Sequence, residues 1–281
     1  MAKRLTYEED RITDGLDIFF WIFNRKSGFV ATHWHRAIEI NYVIDGEVNV
    51  YVNGENHSLH TGDLFLVDSY VPHSVTSPYG NRAILIQIPY SLLKKYIPDF
   101  ENLSFSIYTK TSNPIEQTKI MQFIETIKKM EILFEIRPKG GNLRFNSLVF
   151  ELLYQLYHNF SSPLSESDLR KKQKNFERIS LIMDYTNEHF MNPISLDEIS
   201  SVACLQKEYF CHFFKNQMGL TYLDYLNELR LSHIKEDLSS TDMPVKDILE
   251  KNGFTNYKLF RRLFYNKLKT TPTQYRKNLS N

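Results

Sequence analysis

Two stretches near the carboxyl end decide the fold. They are Leu196-Asp-Glu-Ile-Ser-Ser-Val-Ala-Cys-Leu-Gln-Lys-Glu-Tyr-Phe210-Cys-His-Phe-Phe214 and Val245-Lys-Asp-Ile-Leu-Glu-Lys-Asn-Gly-Phe-Thr-Asn-Tyr-Lys-Leu-Phe260-Arg-Arg-Leu-Phe264. Offset by about fifty positions, Ile199 falls on Ile248, Phe210 on Phe260 and Phe214 on Phe264, and further on Thr221 falls on Thr271 and Tyr225 on Tyr275. Two copies are too few for a solenoid, so the echo predicts a tandem pair of small helical modules. Each copy reads as a short helix, a tight turn and a second helix: 196–202, 203–205 and 206–218, then 245–251, 252–253 and 256–268. Gly253 suits the left-handed backbone of such a turn. In the second helix of copy two, Leu259, Phe260, Leu263, Phe264 and Leu268 form an apolar stripe, and Lys258, Arg261, Arg262 and Lys269 a basic one. From Thr255 to Asn281 there are seven Lys and Arg and no Asp or Glu. Such a face neutralises phosphates, and an arginine at a helix front can bond guanine bidentately.

Working outward, the basic patch stands against a nearly neutral chain, with 34 Lys+Arg and 33 Asp+Glu in 281 residues. At 42% apolar and 24% charged, the composition excludes disorder as the main state, and the length suits two domains. The first residues lack the apolar stretch of a signal peptide, Ile18 to Phe23 is too short to span a bilayer, and a cytoplasmic location without membrane contact is expected. Cys204 and Cys211 form no disulfide framework. From Ser27 to Ile88 the pattern is that of strands, with Glu47 to Val52 alternating and with Asp45-Gly46 and Asn53-Gly54 as hairpin turns, so an antiparallel sheet or barrel is expected. Asn113-Pro114 opens a helix carrying Ile120, Phe123, Ile124, Ile127 and Met130; a second carries Phe145, Leu148, Val149, Leu152, Leu153, Leu156 and Phe160. Ser161 to Asp168, running into Arg170, Lys171, Lys172 and Lys174, has the composition of an exposed linker. The expected division is therefore 1–112, a barrel; 113–160, connecting or dimerisation helices; 161–175, the linker; and 176–281, the helical domain.

The motifs Leu196-Asp-Glu-Ile, Phe214-Lys215, Tyr225-Leu226, Leu229-Arg230-Leu231, Gly253-Phe254 and Thr271-Pro-Thr-Gln-Tyr275-Arg276 resemble those of the AraC/XylS family of bacterial transcription regulators over about the last hundred residues. The resemblance implies two helix-turn-helix units, joined by a long helix matching Thr221 to Leu238, that enter successive major grooves of double-stranded promoter DNA about 34 Å apart. By motif it carries base reading to Glu208, Cys211 and His212, and to Tyr257, Lys258, Arg261 and Arg262; Lys207, Lys215 and Lys267 join them as DNA-contacting residues. The chain departs from the pattern at Gln206, in place of the N-cap serine, at Ser200 and Leu249, in place of small alanines, and at Lys269, in place of glycine. Leu249 at a helix crossing predicts repacking of the second module.

In the strand region His33, His35 and Glu39 share one parity, so a regular strand would turn imidazoles and carboxylate to one face, where they could bind a divalent cation. Their spacing resembles the first cupin motif, and Gly62 to His73 resembles the second, with Asp68 and Tyr70 in place of its proline and glycine. The resemblance implies an α+β multidomain chain: an N-terminal cupin-like β-barrel with following helices, and a C-terminal all-α domain of two helix-turn-helix modules. It also implies that His33, His35, Glu39 and His73 contact a small-molecule effector, while the same four residues would be the ligands of a metal-dependent cupin enzyme or metal-responsive regulator. Trp34, Tyr42 and Tyr70 are the aromatic residues expected at the effector, for which a sugar is the best guess. The regulator is preferred to the enzyme, because a tandem helix-turn-helix has no evident use in small-molecule catalysis and no phosphate loop or nucleophile elbow is present. No resident cofactor is expected. The partners expected are promoter DNA, the effector, a second copy of the chain, and RNA polymerase if the protein activates.

Overall fold

The computed structural model describes residues 11–279 except 26, 53, 78, 108 and 110. Alternation builds the first half. Strands β1 (Phe19–Arg25), β2 (Gly28–His33), β3 (Ile38–Val52), β4 (Glu55–His60), β5 (Leu64–Val67), β6 (His73–Ser77) and β7 (Asn81–Ile88) form one curled antiparallel sheet. Its order is β1-β7-β3-β6-β2, with β4 and β5 also pairing with β3. The first half of β3 pairs with β5 and β7 and its second half with β4 and β6, so this one long strand bends through both walls. Asp45-Gly46 is therefore a correction to the expected hairpin: it lies inside β3, where the register against β7 shifts between Val43 and Asp45. Gly46 has φ +86°, and a Cβ there would meet the Gly80 carbonyl oxygen at 2.6 Å, so the glycine permits a bulge rather than a reversal. The other expected turn includes Asn53, outside the described residues; beside it Val52 pairs with Glu55 and Gly54 has φ +86°.

The two faces of β3 serve different neighbours. Ile38, Ile40 and Tyr42 point outward and share a core with α2 (Pro114–Ile136) and α3 (Gly141–Phe160), through Phe123, Ile127, Met130, Leu152 and Leu156. Each such side chain gains about 1.5 to 3 kcal/mol on burial, which holds the helix pair on its own barrel. Helix α2 starts where Asn113 accepts from the Ile115 and Glu116 amides, with Pro114 as its first residue. Between sheet and helix pair lie the short α1 (Tyr90–Tyr96) and β8 (Leu103–Phe105).

The stretch expected as a linker is ordered. β9 (Ser161–Pro163) pairs with β8, and Ser165 caps α4 (Glu166–His189) by accepting from the Asp168 amide. Its polar composition is that of a helix's solvent face, supported by an ion pair between Arg170 and Glu166 one turn apart. Six helices follow: α5 (Leu196–Val202), α6 (Lys207–Met218), α7 (Tyr222–Ser240), α8 (Val245–Lys251), α9 (Tyr257–Leu268) and α10 (Pro272–Leu279). Ser195 and Glu198 close a reciprocal capping box on α5. The turn between α5 and α6 puts Cys204 at φ +53°, where the turn between α8 and α9 puts Gly253 at +70°. Gln206 makes no side-chain cap on α6, and Lys269, in place of glycine, ends α9 at φ +52°. Leu249 is accommodated in the core of the second module beside Ile248 and Phe260. No helix among the described residues is long and apolar enough to cross a membrane.

At Gly253 a Cβ would lie 2.4 Å from the Met191 carbonyl oxygen, in a backbone region that costs an L-residue about 1 to 2 kcal/mol. Gly253→Ala is expected to lower stability by at least about 2 kcal/mol in urea unfolding. An unchanged midpoint would contradict this packing.

Candidate functional site

Four side chains converge inside the barrel from separate elements. His33 closes β2 opposite His73, the first residue of β6; Glu39, near the start of β3, lies opposite Gln87 of β7; His35 sits in the bend between β2 and β3. The residues therefore do not share one regular strand; the curl of the sheet brings them together. One ligand atom from each lies within 4.8 Å of all the others, and all four residues are buried.

The hydrogen bonds around the cluster fix what it can bind. Each imidazole turns Nδ1 to a backbone carbonyl: His33 to Ala31 at 2.9 Å, His35 to Ala37 at 2.9 Å and His73 to Val71 at 3.0 Å. A carbonyl oxygen only accepts, so each Nδ1 carries a proton and Nε2 is the atom left to the cluster, a donor to Glu39 while its ring is protonated and a lone pair once the ring is neutral. Nε2 of His35 stands 3.1 Å from Glu39 Oε2, and Nε2 of His73 stands 3.4 Å from Oε1. The carboxylate meanwhile accepts from Asn41 Nδ2 at 2.8 Å and Gln87 Nε2 at 3.0 Å. Imidazole nitrogens and a carboxylate thus share a buried space, where the Glu39 charge holds protonated rings or, once the rings are neutral, the same atoms can share a cation. Three imidazole nitrogens and one carboxylate form a donor set suited to Fe, Mn, Zn or a similar divalent ion. Burial, reinforced by repulsion from His73 and His35, pushes the His33 imidazole well below its ordinary value. Burial works to raise the Glu39 carboxyl, but His73 and His35 hold it well below the usual range.

The aromatic residues expected here lie elsewhere. Trp34 points out of the barrel into the core of the helical domain, edge-on to Phe176 at 4.9 Å and near Ile179. Tyr70, at φ +66°, packs on the same Phe176 at 4.7 Å. Tyr42 faces the α2 and α3 side, on the surface of β3 opposite Glu39. All three serve packing: strand alternation turns Trp34 and Tyr42 away from the cluster, and the left-handed turn at Tyr70 points its ring to Phe176. Asn41 and Gln87 were missed. Asn41 shares the parity of Glu39, a signal present in the sequence, whereas Gln87 is brought in only by cross-strand register.

The helical domain presents its second surface. Phe210, Phe213, Phe214 and Met218 bury one side of α6, leaving Glu208, Cys211, His212 and Lys215 exposed; Lys207 pairs with Asp197 at 2.9 Å. Phe260, Phe264 and Leu268 bury one side of α9 and leave Tyr257, Lys258, Arg261 and Arg262 exposed, with the Arg261 guanidinium 6.0 Å above the Tyr257 ring. Lys267 is the exception among the residues expected to touch DNA. Its ammonium lies 2.6 Å from Glu228 Oε1 and 4.8 Å from the centre of the Phe29 ring, so it points at the barrel.

Barrel and helices meet along β2. Phe29 and Ala31 enter the core of the second module with Leu231, Ile234 and Phe264. Glu228 Oε2 accepts from the Thr32 amide at 3.2 Å and its hydroxyl at 2.8 Å, and Lys235 donates to the Phe29 carbonyl at 2.8 Å.

Comparison with known proteins agrees with both halves. Residues 199–278 match a helix-turn-helix domain family and residues 20–89 a cupin domain family. An uncharacterized HTH-type transcriptional regulator of Staphylococcus aureus (strain COL) is 25% identical over 241 residues, covering 85% of this chain and 31% of the relative. The chain thus spans about a third of the length of that relative. The melibiose operon regulatory protein of Escherichia coli (strain K12) is 23% identical over 257 residues, covering 88% of this chain and 83% of that one. Among solved structures, ToxT from Vibrio cholerae is similar with a TM-score of 0.49 and 13% identity, over 94% of this chain and 100% of that one.

The cluster also makes a pH prediction for chelator-treated protein. Below about pH 6.5 the unfolded chain protonates His33 while the folded chain resists, so the unfolded state binds more protons and stability is lost as pH falls. Glu39 acts in the same direction at lower pH. The unfolding free energy from urea titrations between pH 7.5 and 5.5 should fall by up to about 1.4 kcal/mol per pH unit, with a flatter profile in His33→Gln. A flat wild-type profile would contradict the burial of His33.

Proposed function

We propose that this chain, an AraC-type transcription regulator with a cupin domain, binds promoter DNA through α6 and α9 and alters that binding when a small-molecule effector occupies its N-terminal half. The observation that carries the reading is the face of α9: Lys258, Arg261 and Arg262 stand exposed on a helix whose other side is buried core. Phosphate contacts supply affinity and counterion release, and the arginines read base edges. Glu208, Cys211, His212 and Lys215 of α6 take the first groove. The names of the relatives support regulation rather than catalysis, and the name of the Escherichia coli relative supports a sugar as effector. Effector and DNA are then linked by population shift, each altering the affinity of the other by the same factor. Two copies pair through α3, which keeps Leu143, Phe150 and Tyr154 exposed, and an activating complex contacts RNA polymerase.

A second reading of the barrel is favoured by the convergence of His33, His35, Glu39 and His73, whose ligand atoms lie within 4.8 Å of one another: a divalent ion held there makes the regulator metal-responsive. Such an ion would neutralise the carboxylate and fix the end of β2.

Two measurements test these readings. Arg262→Ala should weaken operator binding by about 1 to 3 kcal/mol and relax preference at one base pair, while Lys258→Ala weakens all sequences alike and lowers the salt slope by about one. Equal binding by wild type and both variants would remove α9 as a reader. Protein purified without added metal should carry stoichiometric Fe, Mn or Zn that is lost in His33→Ala; metal-free wild type would sink the second reading.

A further inference from the structure

Between the outer face of the β3–β6 ladder and helices α7 and α9 lies a cavity of about 330 Å³. Its sheet wall is set by register. Asn49 opposes Thr76 and Tyr51 opposes Ser74, so these four share one face while Val48, Val50 and Val52 fill the barrel's inside. A strand face of this composition ordinarily meets bulk water. Here it is roofed by helices: the Tyr51 hydroxyl donates to the Gly219 carbonyl at 2.7 Å, and Glu228 ties Thr32 to Lys267.

The lining defines a ligand class. Ser74, Thr76 and Asn227 supply hydroxyl and amide groups that donate and accept, the Asn49 amide being taken up by Glu47, Asn56 and Ser58, while Tyr51 and the leucines Leu220, Leu231 and Leu263 supply apolar surface. Few precisely placed polar groups on an apolar floor, in a space of about 300 Å³ or more, are the features of small-molecule sites. Among the described residues the basic group on the lining is Lys267, already paired with Glu228, and the acidic Asp224 lines the same space, so an anionic ligand would find no spare cation there. A neutral polyhydroxylated molecule satisfies the amides and hydroxyls through its own hydroxyls and lays its C–H face on Tyr51 and the leucines.

We infer that this slot between the domains, rather than the buried histidine cluster, is where the regulator takes a neutral sugar. The inference rests on the reading of the chain as an effector-responsive regulator and gives that effector a place. Because the walls belong to both domains, the bound sugar stabilises their docked arrangement without any change inside the barrel.

Calorimetry on the full chain tests it, with melibiose, galactose and glucose as neutral probes and palmitate as the anionic one. At least one sugar should bind wild type, and its affinity should fall about tenfold in Asn227→Leu and again in Thr76→Val, with thermal unfolding unchanged as the control for folding. The inference is overturned if none of the three sugars binds, if palmitate alone binds, or if a sugar binds wild type and both variants equally. Operator binding by the same samples keeps the two levels apart: intact operator binding with a failed slot removes the slot alone, whereas absent operator binding removes the regulator reading beneath it.

Discussion

One carboxylate joins the two halves of this molecule. Glu228, near the middle of α7, accepts from the Thr32 amide and hydroxyl with one oxygen and from Lys267 of α9 with the other. The strand it grips alternates in its allegiance: Phe29 and Ala31 sit in the core of the second module and Trp34 in that of the first, while His33 and His35 turn into the barrel. Seven consecutive residues therefore touch the buried cluster, both helix-turn-helix modules and the helix between them. Loosening Glu228 strands a partly buried ammonium and two donors at once, so the junction should behave as one cooperative contact.

This arrangement separates three tasks that a sequence reading places in one spot. The exposed basic face of α9 suits phosphate and base contact. The histidine cluster, buried and with four ligand atoms converging, suits an ion. The slot between the domains sets a few polar groups on an apolar floor, and its Lys267 is paired with Glu228. Neutral ligands, ions and DNA can then act on a common element, β2 with α7, without competing for the same atoms.

The helical half was legible to within a residue or two because its signals are local: caps at Ser195 and Thr221, the left-handed turn at Gly253 and apolar stripes of helical period. The residues of the cluster were legible by type and spacing, although a regular strand was the wrong reason for their meeting. What failed depends on distant partners. Asp45-Gly46 has hairpin chemistry, but the long ladder of β3 with β7 absorbs it as a bulge. Trp34 and Tyr70 look like ligand-stacking residues until the helical domain supplies their hydrophobic partners. The polar stretch before Phe176 could not be told from a linker, since a solvent-facing helix and a linker share one composition. Lys267 was counted with the DNA-facing charges because nothing local indicates that Glu228 claims it.

The central claim is that β2 fastens the barrel to the helix-turn-helix domain through Glu228. Amide hydrogen exchange of full-length Glu228→Ala against wild type measures it most directly. The account predicts faster exchange along β2 from Gly28 to His33 and in α9 around Lys267, far in sequence from the substitution. Faster exchange confined to the α7 turns around residue 228 would contradict it.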